Sequence, residues 1–488
     1  MIVIRDKLYI NTNELGFKVS KLCELFTYKN PDYMEKKRLK LSVKNIQEFL
    51  FHYKIETIGN NQMLVLPRGG LDRVKQFYLD NNLTFEIKDK RISHRKIDVE
   101  LLDTKLEKQQ IRIIKTLVDN EGGLIQALTG IGKSISILGL ISQIKQPTLI
   151  IVDEFRLSNQ WLGEIKKRLT GKFKLGVLNG DQKIDGDIVV AIIDSCSILY
   201  EKDPKYFDKF GMIILDESHV SSSPSYLKVV NNLSAKYRVG VTATVKRKDG
   251  MHILTIDMLG KVLLDIDANE AKERVTNFEF KIVNTNIKFE IPGTVRWTGR
   301  KREPVINFAK CIEVITQDNQ RNNIIINEVS KSIEEGYFPL ILSDRVEHNK
   351  LMAKKLQELG YNAILLIGDT RKKAKWEDIQ KDTSIQCIVA NTSIASKGLD
   401  LPRLSSLHLT CPSSNQPQLK QRIGRIRRFV KNKPLPIVYD YVDNLGYFNS
   451  DNGVVPLLQL TALKRLRYYK QLQKDYLQNP DEEQLEIT

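Results

Sequence analysis

Three short stretches of this chain carry side chains suited to handling a triphosphate. Residues 126–134, QALTGIGKS, follow the apolar pair Leu124 and Ile125 and precede Ile135, Ile137, Leu138 and Ile141 at helical spacing, which reads as a strand, a glycine turn and a helix start. Gly130 and Gly132 let the backbone bend until its N–H groups point inward, and the amino end of the next helix adds a dipole that favours phosphate. Lys133 then reaches the β and γ phosphates, and the Ser134 hydroxyl faces a magnesium ion. The general pattern of such loops opens on glycine; Ala127 holds that place here, so the match is to a variant loop.

The second stretch is DESH, residues 216–219, at the end of the apolar run GMIIL. Hydrolysis of a triphosphate needs a carboxylate for the magnesium shell, for which Asp216 is the candidate, and a group that orients and deprotonates water, for which Glu217 is. His219 is placed as a polar link from this pair toward the loop carrying Thr242 and Thr244. The third stretch is QRIGRIRRFVKNK, residues 421–433. Gln421, Arg425 and Arg428 fall at three- and four-residue helical spacings, so the two arginines are expected on one face with Gln421, where they can neutralise charge developing on a γ phosphate. Arg422 and Arg427 are expected elsewhere on the helix, as ordinary cations resting on a nucleic-acid backbone.

These stretches need a scaffold, and the chain between them supplies a repeating one. From about residue 100, near-continuous β-branched runs alternate with helical patterns: PTLIIV, DIVVAII, GMIIL and YRVGV between amphipathic segments. That rhythm predicts a parallel sheet covered on both faces, with ligands beyond the carboxyl ends of its strands. A second alternation, FPLILSD, NAILLIG, IQCIVAN, LSSLHLTCP and PLPIVYD, repeats it without a glycine-lysine loop. Residues 1–98 read as a small mixed α+β module, with LDRVKQFYLDNN as an amphipathic helix stopped by Asn81 and Asn82 and KDKRISHRK, residues 88–96, as a linker. The expected divisions are 1–98, 99–275, a connecting segment 276–320, 321–450, and a tail 451–488 with one amphipathic helix, basic side exposed, followed by an acidic end.

Bulk properties agree with an α/β protein of several domains. The chain has 488 residues, 41% hydrophobic and 28% charged, and its 76 Lys plus Arg exceed its 59 Asp plus Glu to give a net charge of +17. That excess favours a polyanionic partner. Five widely spaced cysteines without metal-ligand spacing point to a reducing compartment, and no segment has the apolar length of a membrane span or signal peptide. The expectation is an intracellular protein without a membrane partner.

The order of these motifs resembles the superfamily 2 helicases and translocases, in particular the branch containing the repair helicase XPB and the DNA helicases of large viruses and bacteriophages. The resemblance spans about residues 100–445. It implies two RecA-like parallel-sheet domains in tandem, ATP and Mg2+ as cofactors, and hydrolysis completed across a cleft between the domains. It assigns adenine recognition to Gln110, ATP binding to Thr129, Gly130, Gly132, Lys133 and Ser134, the metal to Ser134 and Asp216, and coupling to Thr242 and Thr244. Gly398 and Asp400 would face the nucleotide, and Arg425 and Arg428 would be arginine fingers. Strand contacts are expected at Gln160, Trp161 and Thr392, with Arg247 in a charged turn near the fork. The implied partner is forked or branched DNA, bound by a monomer with the amino module recognising duplex. If the protein is phage-encoded, the setting is the cytoplasm of a prokaryotic host. The ATPase motifs leave RNA open as a track, and a restriction motor or a nucleotide-gated DNA-binding module are the other readings.

Overall fold

The computed structural model describes residues 1–38, 42–102, 105–128, 131–180, 182–218, 223–245, 250–266, 275–289, 295–298, 303–306, 308–367, 379, 381–392, 401–413, 415–449 and 453–477. One compact unit comprises residues 1–127 and 132–266, the other 128–131 and 267–488.

The first unit opens with the small mixed α+β module. Its five strands run in the order 54–58, 61–67, 7–11, 2–4 and 87–89, antiparallel except for the last pair. Alternation in the short strands sends Ile2, Ile4, Leu8, Ile10, Leu64 and Leu66 to one face, where they meet Val74, Phe77 and Tyr78 of the helix Leu71–Asp80. That helix ends where Asn81 returns its side-chain N–H to the Phe77 carbonyl and Asn82 takes a left-handed φ of 54°.

The module is docked onto the sheet domain through buried polar contacts. Asp257, fully buried, accepts from Arg73, from Tyr28 Oη at 2.9 Å and from His52 Nδ1 at 2.6 Å. Arg68 reaches the carbonyl of Ala235, while Arg238 donates in the other direction to the Asp6 carbonyl at 2.7 Å. Gly69 lies so close to the helix His252–Leu259 that a Cβ there would collide with the carbonyls of Ile256 and Asp257. The 88–96 stretch is likewise no loose linker. Arg91 bridges Asp89 and Glu121, each at 2.6 Å, Ile92 pairs with Ala235, and Gln146 holds both backbone groups of His94. The partners of Ile92 and His94, Ala235 and Gln146, lie far along the chain, so no local pattern shows these contacts.

The sheet of the first RecA-like domain has strand order 182–184, 175–179, 188–192, 148–152, 212–216, 237–242, 122–127 and 262–266, parallel except at the 182–184 edge. Its central strands are apolar on both faces and buried, as the β-branched runs predict.

The second RecA-like domain has order 279–289, 437–449, 406–409, 339–343, 387–391 and 363–366, all parallel, with 453–456 antiparallel beside 437–449. The expectation of a connecting segment over 276–320 is therefore modified at its start: Glu279–Phe289 is the edge strand of this sheet. Its partner strand is distant in sequence, so no local pattern reveals the pairing. The tail helix Leu457–Leu477 is also not basic only on its exposed side. Arg465 is buried and forms a bidentate pair with Asp440, at 2.7 and 2.8 Å, and Tyr469 Oη donates to the same carboxylate.

Two buried histidines give this unit an acid sensitivity. Burial, with Arg321 nearby, pushes His348 down to about 3, and burial, with Lys281 nearby, does the same for His408, which stacks on Tyr439 and bonds Tyr441. In an unfolded chain each ring takes a proton near pH ~6.5. The unfolded state therefore binds more protons below that pH, and stability present above it is lost as pH falls toward 3. In thermal unfolding followed against pH, His408→Phe is expected to lower Tm at neutral pH and to show a shallower acid loss than the parent chain.

Candidate nucleotide site

The strand Gly122–Ala127 leads into the phosphate loop, and the helix Lys133–Ile144 leaves it. Gly132 caps that helix at φ 90° and ψ 38°, a left-handed conformation that a side chain would strain. Lys133 folds back over the turn, its Nζ donating to the Ala127 carbonyl at 3.1 Å, so its ammonium sits where the strand ends. Ser134 follows in the first helical turn, where backbone N–H groups have no partner within the helix. Thr129 and Gly130 lie outside the described residues.

Asp216 ends the buried strand Met212–Asp216, and pairing places it opposite Val241, with Thr242 opposite Gln126 on the next strand. Parallel register thus brings the acid pair, the Thr242–Thr244 segment and the phosphate loop to the same end of one sheet. Asp216 Oδ1 accepts from the Glu217 N–H at 2.9 Å, and Oδ2 accepts from the Trp161 indole N–H at 2.9 Å. Burial and then Glu217 push the Asp216 carboxyl up to about 6, opposed by Lys133 and the Trp161 bond. Glu217 has φ 50°, unusual for a side-chain-bearing residue and a strain of ~1–3 kcal/mol that its surroundings must hold.

Trp161 was expected on a nucleic-acid strand, yet it is 3% exposed and bound to Asp216, whereas its neighbour Gln160 is exposed. Both belong to the helix Phe155–Arg168, on which successive residues point about 100° apart. Gln110 is buried at the third position of the helix Lys108–Asp119, where its Oε1 accepts the Glu107 N–H at 3.0 Å in a reciprocal capping box. Glu107 is the N-cap residue of that helix.

Sequence reasoning missed Gln126. Its Nε2 donates to Asp265 at 2.7 Å and its Oε1 accepts the Val245 N–H at 2.7 Å. Thr242 Oγ1 meanwhile accepts the Thr244 N–H at 3.2 Å. The strand entering the phosphate loop is thereby tied to the segment after Thr244. The signal was present as one amide in an otherwise apolar buried strand. His219 and Arg247 lie outside the described residues.

In the second RecA-like domain, the helix Gln416–Ile426 carries Gln421, buried, and Arg425 in its last turn. Arg428 does not share that helix. It lies beyond the end, in an antiparallel bridge with Val275. Lys433 terminates the helix by donating to the carbonyls of Ile426 at 2.8 Å, Pro402 at 3.0 Å and Arg428. Arg422 and Arg427, expected as exposed cations, are 4% and 3% exposed, and Arg427 donates to the Thr276 carbonyl and lies over Phe278 and Tyr476. Neither is a surface cation. Thr392 is buried and donates to Asp344. Gly398 and Asp400 lie outside the described residues.

Known proteins are similar to this chain across both domains. The family model described as Type III restriction enzyme, res subunit, matches residues 103–247, and the helicase conserved C-terminal domain matches residues 309–430. Among relatives, the probable helicase D10 of Escherichia phage T5 is 28% identical over 368 residues, covering 74% of this chain and 76% of its own. The DNA 3'-5' translocase XPB2 of Sulfurisphaera tokodaii is 24% identical over 387 residues, covering 73% and 85%. In fold, S. cerevisiae Dbp5 bound to RNA and ADP BeF3 superposes with a TM-score of 0.51 at 15% identity, covering 77% of this chain and 88% of that one.

Trp161→Phe keeps a buried ring and removes the indole donor to Asp216. A hydrogen bond to a charged acceptor is worth ~1.5–3 kcal/mol. ATP turnover, followed by phosphate release, is expected to fall about tenfold or more, and Tm to fall by a few degrees.

Proposed function

We propose that this chain, a superfamily 2 helicase-like protein related to phage, viral and restriction-associated helicases that binds and hydrolyses ATP, acts on forked or branched DNA within the XPB-like branch. The observation that carries the catalytic reading is the convergence of Lys133, Asp216 and Glu217 at the carboxyl end of one parallel sheet. The DNA reading is supported by the net charge of +17 and by the relative named a DNA translocase.

In this reading the loop that ends at Gly132 cradles the phosphates, and Lys133 exchanges its bond to the Ala127 carbonyl for phosphate oxygens. Ser134 and Asp216 offer hard oxygen donors of the type magnesium takes, and a carboxyl pushed up by burial and by Glu217 gains from a nearby cation. That ion would neutralise charge on the transferring phosphoryl group. Glu217, turned by its left-handed backbone, orients the attacking water and takes its proton. Arg425 and Arg428 serve as the cations that meet developing γ-phosphate charge, with Gln421 beside them in sequence. Trp161 is a positioning residue for Asp216, and Gln126 passes changes in the loop to the segment around Val245.

Phosphate contacts carry no sequence information, so a grip on them permits movement along any sequence. An RNA track is the competing reading, and substrates distinguish the two. Hydrolysis stimulated by forked DNA or a four-way junction is expected to exceed that with RNA at least tenfold and to be abolished by Lys133→Ala and by Glu217→Gln. Arg425→Ala and Arg428→Ala are expected to lower kcat with little change in nucleotide binding, since finger arginines act in the transition state. Equal stimulation by RNA, or turnover that survives Glu217→Gln, sinks the corresponding half of the proposal.

A further inference from the structure

The docked amino module leaves a cavity of about 220 Å3 against the first RecA-like domain, well beyond single waters of ~30 Å3 each. One side comes from the end of the strand Phe49–Phe51 and the residues that follow, His52, Tyr53 and Lys54. The other comes from Leu227 on the helix Pro224–Val230 and from Asn231 and Asn232 just beyond it.

Its chemistry is specific. Phe51 is 55% exposed and stands edge-to-face against Tyr53, with centroids 5.9 Å apart. Lys7 and Lys54 also line the cavity, and none of its lining residues is a carboxylate. Lys7 Nζ holds Asn232 Oδ1 at 2.7 Å, which fixes that amide. His52 has its Nδ1 on Asp257, leaving Nε2 as the ring atom that faces Asn231 Nδ2 at 3.5 Å. Asn231 is only 9% exposed, and its Oδ1 has no hydrogen-bond partner among the described residues. A buried amide oxygen without a donor costs free energy unless a ligand or water supplies one.

Aromatic faces beside an orphaned acceptor suit a flat ring with N–H groups on its edge. Lysines at the same opening suit an anion attached to that ring. A bare phosphate would leave the apolar wall of Val65, Pro67 and Leu227 unused, and an apolar peptide would leave the lysines unused. We propose that this cavity receives an unstacked nucleobase of a DNA strand, stacked on Phe51 or Tyr53, with its edge on Asn231 and its phosphate near Lys54.

The site rests on the DNA reading above and deepens it, since it gives the amino module a contact with an unpaired nucleotide. The helix that lines the site, Pro224–Val230, begins eight residues after Asp216 in sequence, so a change in hydrolysis on filling the cavity is a further readout.

The test uses the full chain without ATP and an oligothymidine carrying one 2-aminopurine, whose fluorescence is quenched on stacking with an aromatic ring. The parent chain is expected to quench the probe. Phe51→Ala is expected to abolish that quench and weaken binding roughly tenfold, the scale of one base–aromatic stack. Lys54→Ala is expected to weaken binding and reduce the salt slope by about one phosphate contact. Both side chains are exposed, and both variants are expected to retain the parent's ATPase rate without nucleic acid.

Unchanged quench and affinity in Phe51→Ala would overturn the assignment. So would polyglutamate binding more tightly than the oligonucleotide and losing affinity in the same variant, because the cavity would then be a peptide site. If DNA fails to stimulate hydrolysis by the parent chain, the functional reading fails. The quench and its loss in Phe51→Ala decide the cavity independently of that result.

Discussion

Parallel register is the constraint on which the nucleotide site depends. Neighbouring strands that run the same way must end on the same side, so residues far apart in sequence reach one rim without any direct sequence relation. Here Gln126 pairs with Thr242, Val241 with Asp216, and each strand end opens into a segment bearing a polar group. A one-residue slip would draw a polar strand end such as Asp216 into the buried layer of Ile213, Ile214 and Leu215, which makes it costly. Catalytic geometry is thus set by core packing several residues away. The rim adds its own bonds: Trp161 on Asp216, and Gln126 between Asp265 and Val245.

The same economy governs the arginines. A net charge of +17 suggests a broad cationic surface, yet Arg68, Arg238, Arg321, Arg422, Arg427 and Arg465 are buried. Two solutions recur. Arg321 and Arg465 pair with the buried carboxylates Asp443 and Asp440, while Arg68, Arg238 and Arg427 donate to backbone carbonyls. A guanidinium with fixed, planar donors can satisfy several carbonyls at a chain crossing, which a lysine's single ammonium does less well. These arginines act as fasteners between elements. Formal charge therefore overstates the cationic surface available to a polyanion, and attention shifts to exposed lysines such as Lys54.

Much of the fold was legible because it is written in local patterns. Buried parallel strands appear as β-branched runs, the glycine turn as TGIGKS, and the amino-module helix as an amphipathic repeat with an Asn-Asn stop. What escaped depends on partners distant in sequence. Glu279–Phe289 looked like a connection because its pairing strand comes more than a domain's length later. Arg428 looked helical because its spacing is right, but Lys433 and the Val275 bridge end the helix first. Trp161 was expected with Gln160 at a strand contact, and its burial and its bond to Asp216 depend on a partner 55 residues further along the chain. The candidate site was thus readable in residue type, less so in orientation.

Docking of the amino module centres on one buried carboxylate. Asp257 accepts three side chains, Arg73, His52 and Tyr28, all from the module, while its own helix meets Gly69 without room for a methyl group. A buried carboxylate with its donors removed is strongly destabilising, so the ion network is worth far more intact than broken. Directional bonds of this kind also select one orientation, which a purely apolar interface does less strictly. The module is therefore held in one orientation against the first RecA-like domain, on the side where Asn231 and Asn232 follow the helix Pro224–Val230. Under the proposed function, recognition by the module and hydrolysis at the sheet rim would fall within one compact unit, in which the Asp257 network fixes the module's place.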